Sequence, residues 1–458
     1  MSFSSHLEAM MKSGRRLLAP FLFLFSAVAF AQEQVVLTVD QAIQTGLENS
    51  KALHASRYRL NAASAKASET GTLALPSVKF SGLYTRLSNV PPEAVDMPAN
   101  SFGPGFPPTD LSLTLSPTIL DIYSLKATVQ QPLFTGGKVS GAIDAAGYSA
   151  EASEHDLRKD EADLVYTITS AYWNLYRAVE FRKFVDENVN QMIVHDSDAV
   201  NLLKQGMMTI NDVMKVQTQL SEARVRQIDA ENNVTLAMYA LNNTIGLPLK
   251  TVIGIGSTIR TDERNWGDVD SLLRCAFDRR PEMLGMNARV RAGEAGLASA
   301  RGGWWPQFYL VGDYDYLRPN QRYFPVTDNF KGTWDVSLAV SFDIWNWWQT
   351  GYQTNEAQAQ LAQAREGLSI TQDGITLEVT QSYLGIRKAR ERKSVSELEA
   401  RQAEENYRIM VGKYKQGLVA NSELLDAEVA LLQARLNVTQ SLVDYELAIA
   451  QLTRAIGG

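Results

Sequence analysis

The sequence predicts an α+β membrane protein of two tandem repeats, mainly long α-helical coiled-coil hairpins, with four β-strands per chain that belong to a shared barrel. Three observations predict it. The chain matches itself at a fixed offset, its prolines are confined so that very long helices can run, and its hydrophobic period alternates between that of a helix and that of a strand.

The self-match spans most of the chain. Tyr172 pairs with Tyr383, Lys204-Gln205-Gly206 with Lys415-Gln416-Gly417, Ala223-Arg224 with Ala434-Arg435, and Ile245-Gly246 with Ile456-Gly457, all at offset 211. Internal similarity at one spacing is the mark of a duplicated structural unit. Upstream, Pro76, Val78, Gly82 and Tyr84 match Pro306, Phe308, Gly312 and Tyr314 at offset 230. The 19-residue difference falls in a Pro-rich stretch, which reads as an enlarged loop of the first repeat.

In chain order, residues 1–31 come first. Lys12, Arg15 and Arg16 precede an apolar run from Leu17 to Phe30, followed by small residues, which is the pattern of a secretory signal peptide cleaved before Gln32. Its removal takes away three positive charges and one negative, so the net charge goes from −7 to −9. An acidic chain without basic runs argues against a nucleic-acid partner. The lone Cys275 excludes an intrachain disulfide and a lipid-modified N-terminal cysteine, and reads as a small buried apolar residue.

Of 15 prolines, seven lie between Pro91 and Pro117, and none occurs from Leu133 to Leu247 or from Val326 to the end. Since an interior proline costs a helix about 3 kcal/mol, those tracts are where helices can be long. The first repeat (32–247) is expected to contain a helix over 39–70, strands over 77–88 and 122–134, a long helix over 138–205, a tip at 206–212 and a helix over 213–245. A connector over 248–272 shows no clear period and is assigned to a belt around the helices. The second repeat (273–458) is expected to hold a helix over 273–301, strands over 306–317 and 333–345, a long helix over 350–416, a tip at 417–423 and a helix over 424–456.

In the first long segment one heptad register holds Leu157, Leu164, Ala171, Ala178, Val185, Met192 and Ala199. The companion seam, Ile168, Leu175, Val189 and Leu203, is broken by Glu161, Arg182 and Asp196, so the coiled-coil face carries charge in places. At about 1.5 Å per residue the matching segment Gly351–Gln416 is a rod of about 100 Å, too long for a compact domain. Gly206 and Gly417 mark the hairpins that join each rod to its partner.

The strand segments alternate. Trp334, Val336, Leu338, Val340 and Phe342 interleave with Asp335, Ser337, Ala339, Ser341 and Asp343, as a strand between lipid and a wet lumen requires; a sandwich strand between core and solvent has the same pattern. Four strands cannot close a barrel in lipid, where unpaired backbone groups cost several kcal/mol each, so the chain shares its barrel with copies of itself. Two copies give eight strands and three give twelve. Trp304 and Trp305 enter one strand while Trp345, Trp347 and Trp348 leave its partner, which puts five tryptophans at the helix-facing end. Tryptophan favours the bilayer interface; the competing explanation is packing at a helix–strand junction.

These residues resemble the TolC-like outer-membrane efflux family (outer membrane factors) over nearly all of Leu37–Ile456. The resemblance is carried by Gln131-Pro132-Leu133-Phe134-Thr135-Gly136-Gly137 at the first strand-to-rod junction, by Arg280-Pro281-Glu282, and by the two Gly-containing hairpins. The second junction departs from the pattern, reading Asp343-Ile344-Trp345-Asn346-Trp347-Trp348 without glycines. The resemblance implies a homotrimer with a 12-stranded transmembrane barrel set in outer-membrane lipid and a 12-helix periplasmic tunnel. It also implies a periplasmic adaptor joined to an inner-membrane efflux pump or ABC transporter, and localisation to the outer membrane of a Gram-negative bacterium. The tips, including Gly206, Met207, Met208, Gly417, Leu418 and Val419, match the adaptor-docking surface. Glu423 and Asp426 match lumen-facing acids, although first-turn acids also suit the helix dipole. Asp212 and Tyr414 match positions that hold neighbouring hairpins together when closed, and Val419 stands where the family places an arginine.

No catalytic constellation accompanies these features. His54, His155 and His195 have no metal-ligand spacing, Gly136-Gly137 lacks the Lys-Ser/Thr of a phosphate loop, and no Gly-x-Ser-x-Gly occurs. The expectation is a passive duct with no enzymatic activity, no cofactor and no metal. A periplasmic coiled-coil adaptor or scaffold is the alternative, and it would need the helices but not four strands with an aromatic edge.

Overall fold

The computed structural model describes residues 35–89, 94–97, 111–114, 119–259 and 265–458. The expected signal peptide at 1–31 and most of the Pro-rich loop lie outside the described residues. In chain order the elements are β1 (Val35–Leu37), α1 (Val39–Asn49), α2 (Lys51–Gly71), β2 (Ser77–Arg86), β3 (Ala94–Met97), β4 (Leu111–Thr114), β5 (Asp121–Phe134), α3 (Lys138–Lys204) and α4 (Ile210–Ile245). Then come β6 (Ile253–Ile255), α5 (Val269–Arg279), α6 (Pro281–Arg301), β7 (Gln307–Arg318), β8 (Lys331–Ser341), α7 (Gln349–Lys415) and α8 (Asn421–Ala455). Among the described residues no helix is long and apolar enough to cross a membrane.

The rods α3 and α7 are 67 residues each, so each runs for about 100 Å. Toward the strands, α2, α3, α6 and α7 lie side by side; toward the tips the order is α4, α3, α8 and α7. Each row is one helix thick, with α2 and α4 on one flank and α7 on the other. Apolar side chains stay exposed on both flanks. On α7, Ile370, Leu377, Leu384 and Leu398 recur at multiples of seven and are all solvent-facing, Ile370 at 70%; on α4, Val225, Ile228 and Leu236 are exposed too.

Two expected helices are each interrupted by one extended residue, for different reasons. The helix expected over 39–70 is broken at Ser50, whose extended backbone (φ −66°, ψ 116°) lets its hydroxyl accept from Leu53 N–H and cap α2. The helix expected over 273–301 is likewise α5 plus α6, broken at Arg280 (φ −64°, ψ 128°) because Pro281 pushes its predecessor out of the helical region and then starts the next helix. The strand expected over 333–345 also stops early, at Ser341, and the chain turns from there into α7.

The four-stranded antiparallel sheet has the order β2-β5-β7-β8, so β5 and β7 join the two halves of the chain while β2 and β8 are its edges. The register between β5 and β7 shifts at Pro132–Phe134, where proline has no N–H to give the ladder. One face of the sheet is apolar in all four strands: Val78 opposes Val129, Ala127 opposes Tyr314, and Tyr314 opposes Trp334. Among the described residues that face covers nothing, and Val78 is 75% and Trp334 73% exposed. The other face is polar, with Lys126 bound to Asp313 at 3.0 Å and Thr128 donating to the same carboxylate. Inside the Pro-rich stretch, which the sequence reads only as a loop, β3 and β4 pair as a short antiparallel hairpin.

Midway along the rods the core is densest. Tyr172 is fully buried; its hydroxyl donates to Leu37 O (2.8 Å) and accepts from Ser257 N–H (3.0 Å). Those bonds tie β1 and β6, which pair in parallel, onto α3, so the aperiodic connector is strapped to the rod beside Ile168, Trp173 and Leu241. Nearby, an ion network joins the halves. Arg280, 3% exposed, binds Glu282 and Glu378, and Arg454 binds Glu378 and Asp163. Burial pushes the carboxyls of Asp163 and Glu282 up, but bonds from Lys159 and Arg454 to the first, and from Arg280 to the second, outweigh it and hold both below the usual carboxylate range.

Candidate functional site

At the end far from the sheet, each rod stops by the same device. Met207 N–H donates to Leu202 O and Gly206 N–H to Leu203 O; Leu418 N–H donates to Lys413 O and Gly417 N–H to Tyr414 O. This crossed pair of bonds needs a left-handed residue, and Gly206 (φ 73°) and Gly417 (φ 72°) supply it. The returning helices then start differently. Thr209 caps α4, accepting from Asp212 N–H and donating to its carboxylate at 2.6 Å, whereas Ala420 has no side chain with which to cap α8.

Between the two tips lies a groove of about 960 Å³, lined among others by Gly206, Met207, Met208, Asp212, Tyr414, Gly417 and Val419. Met207 (73%) and Leu418 (67%) project from the tips as exposed apolar side chains. Tyr414 and Asp212 therefore share one groove, and among the described residues no hydrogen bond joins them within the chain, because Thr209 engages the Asp212 carboxylate. Burial pushes the Tyr414 hydroxyl pKa up, and the charges of Asp198 and Asp212 push it further. Val419 places an alkyl group where the family resemblance expects an arginine. Glu423 and Asp426 lie outside the groove, exposed on α8 three residues apart and flanking its buried Leu424, Ala427 and Glu428.

At the other end of the rods, the two strand-to-helix junctions follow one backbone. Gly136 (φ 61°) and Gly137 (φ 91°) make the first turn; Trp347 (φ 53°) and Trp348 (φ 62°) make the second in the same left-handed region. A Cβ on Gly136 would lie 2.4 Å from Trp305 Cβ, so the end of α6 presses on the first junction. Trp304, Trp305, Trp345, Trp347 and Trp348 are all 49–79% exposed, and the Trp345 and Trp347 rings meet edge to face at 5.7 Å.

A second aromatic cluster, which the sequence reading missed, sits at the opposite end of the strands. Tyr84 meets Tyr123 at 5.0 Å, Tyr123 meets Phe330 at 5.7 Å, and Phe330 stacks on Tyr316 at 5.1 Å. The available signal was strand parity, since Tyr84, Tyr123 and Tyr316 all fall on the apolar side of the alternation. Also missed was Glu428, a 3% exposed carboxylate on α8 bound by Asn188 of α3. Among the described residues no group of three or more His, Cys, Asp or Glu side chains could hold a metal ion.

The chain is similar to known proteins over most of its length. It is 21% identical to the outer membrane protein TolC of Escherichia coli over 455 residues, covering 96% of this chain and 86% of that protein. It is 21% identical to the probable efflux pump outer membrane protein TtgC of Pseudomonas putida, covering 92% and 83%. The crystal structure of the outer membrane protein VceC from Vibrio cholerae has the same fold, with a TM-score of 0.74 at 16% identity over 92% of this chain and 96% of that one. The family model described as outer membrane efflux protein matches residues 42–247 and 272–458, leaving out only residues 1–41 and the connector at 248–271. With both halves of the chain matched, this protein belongs to the outer membrane efflux protein family.

Proposed function

We propose that the protein is a homotrimeric channel-tunnel of the outer membrane: a passive exit duct for a tripartite efflux or type I secretion system, gated at its periplasmic end by an adaptor protein. The observation that carries this is the exposed apolar sheet face together with the two flanks of the subunit. A four-stranded sheet with edges at β2 and β8 cannot stand in lipid alone, because each unpaired backbone group there costs several kcal/mol. Both edges sit on the flanks where α4 and α7 also leave apolar side chains uncovered. Head-to-tail addition of copies satisfies edges and stripes at once, and a ring of three gives twelve strands and a duct twelve helices around. The tryptophans at the helix end and the Tyr84–Tyr123–Phe330–Tyr316 cluster at the far end then mark the two bilayer interfaces.

Its homologues are channels, not enzymes, and the duct needs no chemistry of its own. Energy comes from the inner-membrane pump or ABC transporter to which the adaptor is joined. The groove between the tips, with Met207, Met208, Leu418 and Val419 around its glycines, is where the adaptor docks. Three copies of Glu423 and Asp426 form a ring of negative charge at the narrow end, which favours cations and binds multivalent ones.

Planar bilayers test the proposal. Purified protein is expected to conduct with cation preference, and Glu423→Ala with Asp426→Ala to weaken that preference; absence of conductance in both would sink it. Fractionation adds a second check, since the protein is expected to stay with outer membranes through a high-salt wash that frees a periplasmic scaffold.

A further inference from the structure

Glu428 lies in the second turn of α8, on the seam that α8 shares with α3, and is 3% exposed. Buried carboxylates persist only where partners satisfy them. Asn188 Nδ2 donates to Oε1 at 3.1 Å, and His195 Nε2 faces Oε2 at 3.4 Å, an oxygen with no other partner. Asn188 and His195 are seven residues apart on one face of α3. The cluster therefore joins the hairpin of α3 and α4 to that of α7 and α8, through a seam otherwise made of Val189, Met192, Leu220 and Leu425.

His195 also lines the groove between the tips, so the same ring touches the buried acid and the groove. The charges around it are mixed but lean negative. From α3 come Asp198 and Asp196, one of whose oxygens is buried without a partner; α4 contributes Asp212 and Lys215. From α7 come Lys415, Tyr414 and Tyr407, and the Tyr407 hydroxyl pKa is pushed up by burial and by the charge on Glu428. On α8, Arg435 is engaged by Glu187 and Glu404.

We propose that His195 and Glu428 form a proton-dependent clasp between the two hairpins of one chain, which tightens when His195 is protonated and holds the tips in their closed arrangement. A neutral ring offers Glu428 at most one ordinary hydrogen bond. A protonated ring makes an ion pair in a dry seam, where charge attraction is stronger than in water. This rests on the gated-duct reading, to which it adds regulation by periplasmic acidity.

The test compares wild type, His195→Gln and His155→Gln at about pH 6 and about pH 8, which bracket the ordinary range of an imidazole. Melting in detergent is followed by circular dichroism and conductance in planar bilayers. Wild type is expected to melt at higher temperature and conduct several-fold less at the lower pH. Both differences vanish in His195→Gln and persist in His155→Gln. Glu428→Gln, which keeps an acceptor for Asn188, abolishes them as well. A His195→Gln protein that keeps the pH-dependent melting, or a wild type without it, overturns the clasp whatever the conductance. Melting that behaves as expected in a protein that never conducts supports the clasp and overturns the duct.

Discussion

Where the first half of the chain passes from strand to rod it uses Gly136 and Gly137; where the second half does so it uses Trp347 and Trp348, on the same left-handed backbone. The contrast recurs at the helix breaks. Ser50 interrupts the first half with a hydroxyl cap, while Arg280-Pro281 interrupts the second with a locked ring and a buried guanidinium bound to two carboxylates. One backbone path is thus met by cheap local means in one half, and by aromatic and ionic side chains in the other. The path is set by how a sheet strand must turn onto a rod, and the side chains by what surrounds each turn.

Breaking each device separately sharpens the comparison. Arg280→Ala is expected to have the largest effect, about 3–5 kcal/mol lost, because it strands Glu282 and leaves Glu378 with Arg454 alone. Denaturant titration of the detergent-solubilised protein reads it. The pair Trp347→Gly with Trp348→Gly is expected to act in the opposite sense, relieving about 1–2 kcal/mol of left-handed strain per residue. A fall in detergent stability for that pair would show that the rings, not the backbone, hold the second junction. Ser50→Ala should cost only about 1 kcal/mol, the value of a helix cap, and a much larger loss would make the two breaks alike.

Acid sharpens the same contrast. Asp163 and Glu282 sit below their ordinary range when folded, so their stabilisation is present above about pH 4.3 and is lost as pH falls through their folded values. Hydrogen exchange is expected to show the ion network around α6 and the C-terminal end of α8 opening in acid before the Tyr172 core, which is held by uncharged bonds.

Much of the tip was legible in residues alone, because Gly206 and Gly417 mark a local event and the repeat shows them twice. The relation between Tyr414 and Asp212 was legible only as a resemblance. What the sequence could not show was that Thr209 engages Asp212, or that Glu428 is buried against Asn188 and His195, which are more than 230 residues away in the chain.

By itself, then, the sequence determined the helix-dominated class, the likeness of its two halves and the apolar and polar parities of the strands. Each is written in spacing a few residues long or in the chain's likeness to itself. Only the tertiary structure decided that β5 pairs with β7, that the connector is strapped to Tyr172, that two tryptophans repeat the backbone of two glycines, and that a buried acid crosses the seam between hairpins. The reason is physical: periodicity records which side of an element faces water, whereas the partner on the other side is chosen by packing between segments far apart in the chain, and no local pattern carries its identity.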